Sequence, residues 1–311
     1  MAAGLAPSLI LNYLPSYCNY RYRVVLALVA VLPLTGCLFR SRKVDQTVIP
    51  ITLKTATQQQ LIDYVNAQAA AVQSIQATVD IDTTVGGVKK GKVTDYQEIR
   101  GYVLARKPAM LRMVGLLPIV RNRAFDMVSD GEVFKLWIPP KNRFVIGRND
   151  VQTPNPAQPI ENIRPQHLYD ALLIRGVDTQ SEIAVLENDT EVVTDVKSHK
   201  VSRADYVLDV IRKADSGWVL SRKIVFSRVD LLPHRQLFYD ASGNVVTNAL
   251  YGKYKEENGV QFPWQTEIAR PEEEYDITLN IVKLELNLPL ADDKFILEQP
   301  PGAVVVNLDK P

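Results

Sequence analysis

The chain has 311 residues, of which 46% are hydrophobic and 23% charged, with a formal net charge of +1. That is enough apolar material for one large or two small domains. The two signs of charge are mixed along the chain, which excludes the clustered basic surface that a nucleic-acid binder displays.

The N-terminal part carries the strongest local signal. Arg21 and Arg23 precede the apolar run Val24 to Pro33, which is shorter than the roughly 20 residues a membrane-spanning helix needs. Leu34-Thr35-Gly36-Cys37 follows directly. This order resembles a bacterial lipoprotein signal peptide closed by a lipobox; an ordinary secretory signal or a short buried helix ending in Cys is the alternative. The resemblance implies that residues 1–36 are removed and that Cys37 becomes the acylated first residue of the mature protein, carrying palmitate-type chains. Cys18 leaves with the leader, so no disulfide or thiol nucleophile is possible within one mature chain. Leu38 rather than Asp follows Cys37. The enterobacterial inner-membrane retention signal is therefore absent, and the expected location is the outer membrane, anchored at its periplasmic face.

Residues 37–56 show no helical or alternating apolar pattern and read as a flexible tether, in which Arg40, Arg42 and Lys43 either meet anionic headgroups or simply stay solvated. From Thr57 to Gln76 the apolar residues Leu61, Val65, Ala69, Val72 and Ile75 recur at three and four positions, which predicts an amphipathic helix capped by Thr55 or Thr57. The period then changes to two. Phe134, Leu136 and Ile138 share one strand face, and Trp218, Leu220, Ile224 and Phe226 share another, opposite Ser221, Lys223 and Ser227. Turn signals at Gly86-Gly87, Ser129-Asp130-Gly131, Asp215-Ser216-Gly217, Ser242-Gly243-Asn244 and Glu257-Asn258-Gly259 separate such runs, so successive strands are antiparallel.

The strand starting at Tyr275 is informative in detail. Its apolar set Ile277, Leu279 and Ile281 switches parity to Val282, Leu284, Leu286 and Leu288. A bulge near Ile281 to Lys283 keeps both sets on one side of a curved sheet. A proline-rich run at 149–159 interrupts the strands, and a second helix is expected from Ile160 or Arg164 to Ile174, with Leu168, Leu172 and Leu173 inside.

Tether, helix, strands, proline-rich loop with helix, and strands again: this order resembles the LolA/LolB-like superfamily of periplasmic lipoprotein carriers and receptors. The likeness extends over most of Gln58 to Asp309. It is clearest in Arg235-Gln236-Leu237-Phe238-Tyr239-Asp240 leading through Gly243 to Tyr251 and Tyr254, in Gly259-Val260-Gln261-Phe262-Pro263, and in the closing run Asp293 to Gly302. The resemblance implies an α+β fold over residues 57–311: a curved, incomplete antiparallel β-barrel of about ten or eleven strands, covered by helices around a hydrophobic cavity. It also implies a monomer that binds lipid or lipoprotein acyl chains without a cofactor.

Several residues are candidates for that task. Leu116, Leu117, Pro118 and Ile119 sit where a turn is expected. They either form an apolar protruding loop, as the resemblance implies, or end a buried strand. Phe134, Leu136, Trp218, Leu220, Phe226, Phe262 and Trp264 either line a lipid cavity or are plain core. Arg100, Arg112 and Arg222 lie within strands and either face the solvent or point inward to hold a carbonyl or phosphate. Enzyme chemistry has little support. His167, His199 and His234 stand in unrelated contexts, no nucleophile elbow or phosphate loop occurs, and Asp80 and Asp82 either hold a cation or form the wet face of a strand, the usual place of alternating carboxylates. Two functions therefore compete: an acyl-chain binder acting in lipid or lipoprotein localisation, and a structural lipoprotein that fills its own hollow and binds an envelope protein partner.

Overall fold

The computed structural model of the protein describes residues 52–89, 91–150, 161, 163–194, 200–215 and 217–309. The leader, Cys37, all but the last five tether residues, the proline-rich run from 151 on and His199 lie outside these. In chain order the elements are α1 (Gln58–Ala71), β1 (Ser74–Gly87), β2 (Lys92–Asp95), β3 (Ile99–Arg106), β4 (Met110–Leu116), β5 (Arg123–Ser129), β6 (Val133–Ile138) and β7 (Arg143–Arg148). There follow α2 (Pro165–Leu172), β8 (Glu182–Thr194), β9 (Lys200–Ala214), β10 (Gly217–Ser227), β11 (Pro233–Tyr239), β12 (Val245–Glu257), β13 (Val260–Arg270), β14 (Tyr275–Leu286) and β15 (Val304–Asn307).

All fifteen strands of the described residues belong to one sheet, ordered β15-β7-β6-β5-β4-β3-β1-β14-β13-β12-β11-β10-β9-β8, with β2 paired to the end of β1. Every pairing is antiparallel except that of β15 with β7. The edge strands β8 and β15 do not meet, so the curved sheet is an open half-barrel. The strand number exceeds the ten or eleven expected, and β2 and β15, four residues each and too short to show an alternation, account for two of the additional strands. The expected parity switch in β14 is present. Thr78 faces Lys283 and Val79 faces Ile281, so Val282 is the extra residue of a bulge, and Ile277, Leu279, Leu284 and Leu286 are all buried. Val282 and Leu288 themselves are exposed.

Helix α1 begins as its sequence requires. The Thr57 side chain accepts from the Gln60 N–H while the Gln60 side chain accepts from the Thr57 N–H, a complete capping box. Leu61, Ile62 and Val65 pack on Leu208, Val210, Ile224 and Phe226 of the β8–β10 side. The helix ends five residues before the expected Gln76, because Val72 turns extended and Ser74 opens β1. What ends it is remote in sequence. Asn287, in the left-handed conformation at φ 61°, accepts from the Gln73 N–H at 2.8 Å and donates to the Ala71 carbonyl at 2.7 Å. Val72 and Ile75 are still buried, from extended backbone instead of helix. The last residues of the segment read as tether are also fastened: the Lys54 N–H donates to the Arg228 carbonyl and Ala56 packs under α1.

Removing the Asn287 amide takes two hydrogen bonds from the Ala71 to Gln73 backbone, each contributing about 0.5–1.5 kcal/mol, and puts alanine at a left-handed φ. Losing the Thr57 hydroxyl costs about 1 kcal/mol. Asn287→Ala should therefore lower stability at least as much as Thr57→Ala in urea unfolding followed by circular dichroism, although Thr57 alone has a recognisable sequence signature.

Candidate functional site

Helix α2 lies across the concave face and divides it. Pro165 opens the helix, and Leu168, Tyr169, Ala171 and Leu172 are buried. Two tyrosines anchor it to the sheet: the Tyr169 hydroxyl donates to the Pro108 carbonyl at 2.6 Å, and the Tyr251 hydroxyl donates to the Ala171 carbonyl at 2.9 Å. Gln236 in turn donates to the Tyr251 hydroxyl, completing a buried chain.

On the Leu168 side of α2 a cavity of about 290 Å³ remains unfilled. Its wall is built from inward positions of six neighbouring strands, among them Ile81 and Thr83 on β1, Ile99 on β3, Met113 on β4, Met127 on β5, Leu136 and Ile138 on β6, and Ile277 on β14. The register explains why these residues converge: Ile81 faces Ile99 and Leu279, Met113 faces Met127, and Met127 faces Leu136. Among the described residues no charged side chain lines the cavity. Gly101 and Gly115, paired across β3 and β4, create the room. A Cβ on Gly101 would stand 2.6 Å from the Ile81 side chain, and one on Gly115 would collide with the Phe125 ring. Leu117, Pro118, Tyr96 and Gln97 form the cavity's rim.

The loop after β4 continues from that rim into solvent. Ile119 is 99% and Val120 63% exposed, and Ile119 has φ 67°, a left-handed backbone that strains a β-branched residue. The turn is compact, with the Leu117 N–H donating to the Asn122 carbonyl and the Arg121 N–H to the Leu117 carbonyl. Leu116 still belongs to β4, and its side chain lies in an outer groove beside Tyr102.

The seven residues read as cavity lining are distributed differently. Leu136 lines the cavity, whereas Phe134 is 0% exposed, packed under the Arg164 guanidinium. Phe226 meets Tyr64 edge-on beneath α1. Phe262 borders a separate gap of about 30 Å³, room for little more than one water. Trp264 is half-buried under the Lys255 ammonium. Trp218 and Leu220 require a correction: Ser221 is the extra residue of a bulge, with Leu220 facing Ile211 and Arg222 facing Val210. The parity therefore flips, Leu220 and Trp218 turn to the convex face, and Trp218 is 56% exposed. Their expected alignment with Ile224 and Phe226 holds only without that bulge. Most of the true lining, including Tyr96, Ile99, Met113, Met127 and Ile163, falls outside the seven. Alternation marks the strand residues as inward, but nothing in the sequence separates lining from packed core.

The three strand arginines also divide. Arg100 pairs with Asp80, and Arg112 with buried Asp126, both on the convex side, where Arg112 also donates to the Lys294 carbonyl. Arg222 points inward. It lies on the other side of α2 in a second, polar cavity of about 250 Å³ with His167, Asp170, Arg175, Arg212 and Thr247. Burial, then the neighbouring Arg270 and Arg164, pushes His167 down to about 3. Burial pushes Asp170 up to about 6 against the hydrogen bond from Gln166. Burial and Arg175 bring Arg222 down to about 10. Among the described residues no group of three or more His, Cys, Asp and Glu gathers as a metal site would, and no helix is long and apolar enough to cross a membrane.

No family model and no curated protein matches the chain. Solved structures similar to it include a LolA superfamily protein from Nitrosomonas europaea, at 14% identity over 78% of this chain and 99% of that one, with a TM-score of 0.46. A domain described as outer-membrane lipoprotein-sorting, from Vibrio parahaemolyticus, is 10% identical over 77% and 97% of the two chains, with a TM-score of 0.45. A DUF1329 family protein from Desulfovibrio piger is 14% identical over 78% and 98%, with a TM-score of 0.47. These are likenesses of architecture at low identity.

Because its folded-state value lies above the unfolded value of 3.8, Asp170 binds its proton more tightly in the native protein. The resulting stability is complete below about pH 3.8 and is lost as pH rises through about 6. Asp170→Asn should therefore raise the melting temperature at pH 7 and leave it nearly unchanged at pH 3.5, as read by thermal unfolding at the two pH values.

Proposed function

We propose that this protein is a membrane-tethered acyl-chain binder of the bacterial envelope, acting in lipid or lipoprotein localisation and anchored through Cys37 at the periplasmic face of the outer membrane. The observation that carries this reading is the unfilled apolar cavity beside α2. A void of roughly 150 Å³ lined by Leu, Ile and Phe accepts a benzene ring. One of about 290 Å³ has room for a segment of an acyl chain.

The energetics suit a carrier. Each methylene taken from water gains about 0.8 kcal/mol. Hydrocarbon that passes from a bilayer into this cavity moves between two apolar surroundings, so the step is close to neutral and reversible. Ile119 and Val120 would enter the membrane surface, while Leu117 and Pro118 lead from that tip to the cavity. The exposed apolar side chains and strained backbone of this loop have no compensating burial among the described residues. No covalent step, nucleotide or metal enters this mechanism.

The test is direct. The protein purified without detergent should carry lipid visible by native mass spectrometry, and a fluorescent polyene fatty acid should bind at one site. Met127→Trp, which fills the cavity from its wall, should weaken that binding at least tenfold while circular dichroism stays native. Ile119→Glu should leave fatty-acid binding in solution unchanged and slow uptake from vesicles. A lipid-free protein, or full binding by folded Met127→Trp, would overturn the proposal in favour of a scaffold that binds a protein partner.

A further inference from the structure

We infer that the polar cavity on the far side of α2 is a binding site for an oxyanion of the phosphate class, independent of whether the apolar cavity holds an acyl chain. Arg222 is the starting point. It is 1% exposed, and among the described residues no carboxylate meets it. Its Nη1 donates to the Arg175 carbonyl at 2.6 Å and its Nη2 to the Gly176 carbonyl at 2.7 Å, while Nε is buried with no acceptor. A buried guanidinium ordinarily has a carboxylate or another anion against it, because carbonyl dipoles do not balance a full charge withdrawn from water.

Glu182 and Asp170 offset part of this charge, but two further arginines stand beside it. Arg175 lies close enough to lower the Arg222 value, and its own partner is Glu182, whose other oxygen accepts from the Asp178 N–H. Arg212, brought to the concave side by the register that places it opposite Glu182, has no carboxylate partner among the described residues. Among the described residues the one carboxylate on the cavity wall is Asp170, held by Gln166. Three guanidinium groups thus face one lining carboxylate and the already engaged Glu182. The Ser221 bulge opens the strand beside them, and Thr247 adds a hydroxyl. Guanidinium forks match tetrahedral and planar oxyanions by paired hydrogen bonds, and a surplus of cations favours the higher charge of phosphate.

Two sources supply this chemistry, free phosphate or a phosphomonoester and the headgroup of an anionic lipid. Titration calorimetry of the full chain with inorganic phosphate and with glycerol phosphate should give saturable one-site binding. Arg212→Gln, an exposed position whose loss does not disturb the fold, should weaken it at least fivefold. Asp170→Asn, which removes the opposing carboxylate, should tighten it at pH 7. If short-chain phosphatidic acid binds more tightly than glycerol phosphate and Met127→Trp abolishes only that increment, the natural ligand is a lipid headgroup. Equal binding of the two supports the same site with a soluble phosphate. Absence of saturable binding by the wild-type protein, or identical affinities in folded Arg212→Gln and Asp170→Asn, would overturn the inference. Failure here with fatty-acid binding intact removes the oxyanion site alone.

Discussion

A curved sheet that does not close on itself presents a broad apolar concave face, and water must be kept from that face for the fold to be stable. Everything else in this protein follows from how it is covered. Helix α1 seals the β8–β10 side by direct packing of Leu61, Ile62 and Val65 onto Phe226 and its neighbours. Helix α2, only eight residues long, has to cover the remainder and does so incompletely. The shortfall is the apolar cavity between Leu168 and the β1, β3–β6 and β14 wall.

The wall itself is shaped to keep that space. Glycine at 101 and 115 lets the Ile81, Ile99 and Phe125 side chains settle against the backbone, where any larger residue would drive them apart. Bulges at Val282 and Ser221 bend the long strands, so that the two halves of the sheet wrap toward one another. Met113 and Met127 put flexible, polarisable side chains on that wall.

The same helix also sorts chemistry. Leu168 faces the apolar cavity, while His167 and Asp170 face the arginine-lined one, so α2 is amphipathic between two interior spaces instead of between core and solvent. Holding a polar and an apolar hollow side by side requires a rigid partition. Tyr169 and Tyr251 supply it, their hydroxyls bonding the helix to the Pro108 turn and to β12.

Local rules within the sequence determined a good deal. The Thr57 capping box, the alternation of Phe134, Leu136 and Ile138, the glycine-marked turns and the parity switch at Val282 are all short-range patterns, and each has its structural counterpart. The apolar turn after Gly115 could be seen, though not that Leu117 and Pro118 face inward while Ile119 and Val120 stand free. Tertiary structure alone decided the rest. The end of α1 depends on Asn287, more than two hundred residues away, and the flip of Trp218 depends on how β10 registers against β9. Arg222 turned inward by the same registration, and the cavity exists only as space that α2 fails to fill. Alternation tells which side of a strand a residue takes, but an empty volume is a difference between two packed surfaces, and no single segment encodes it.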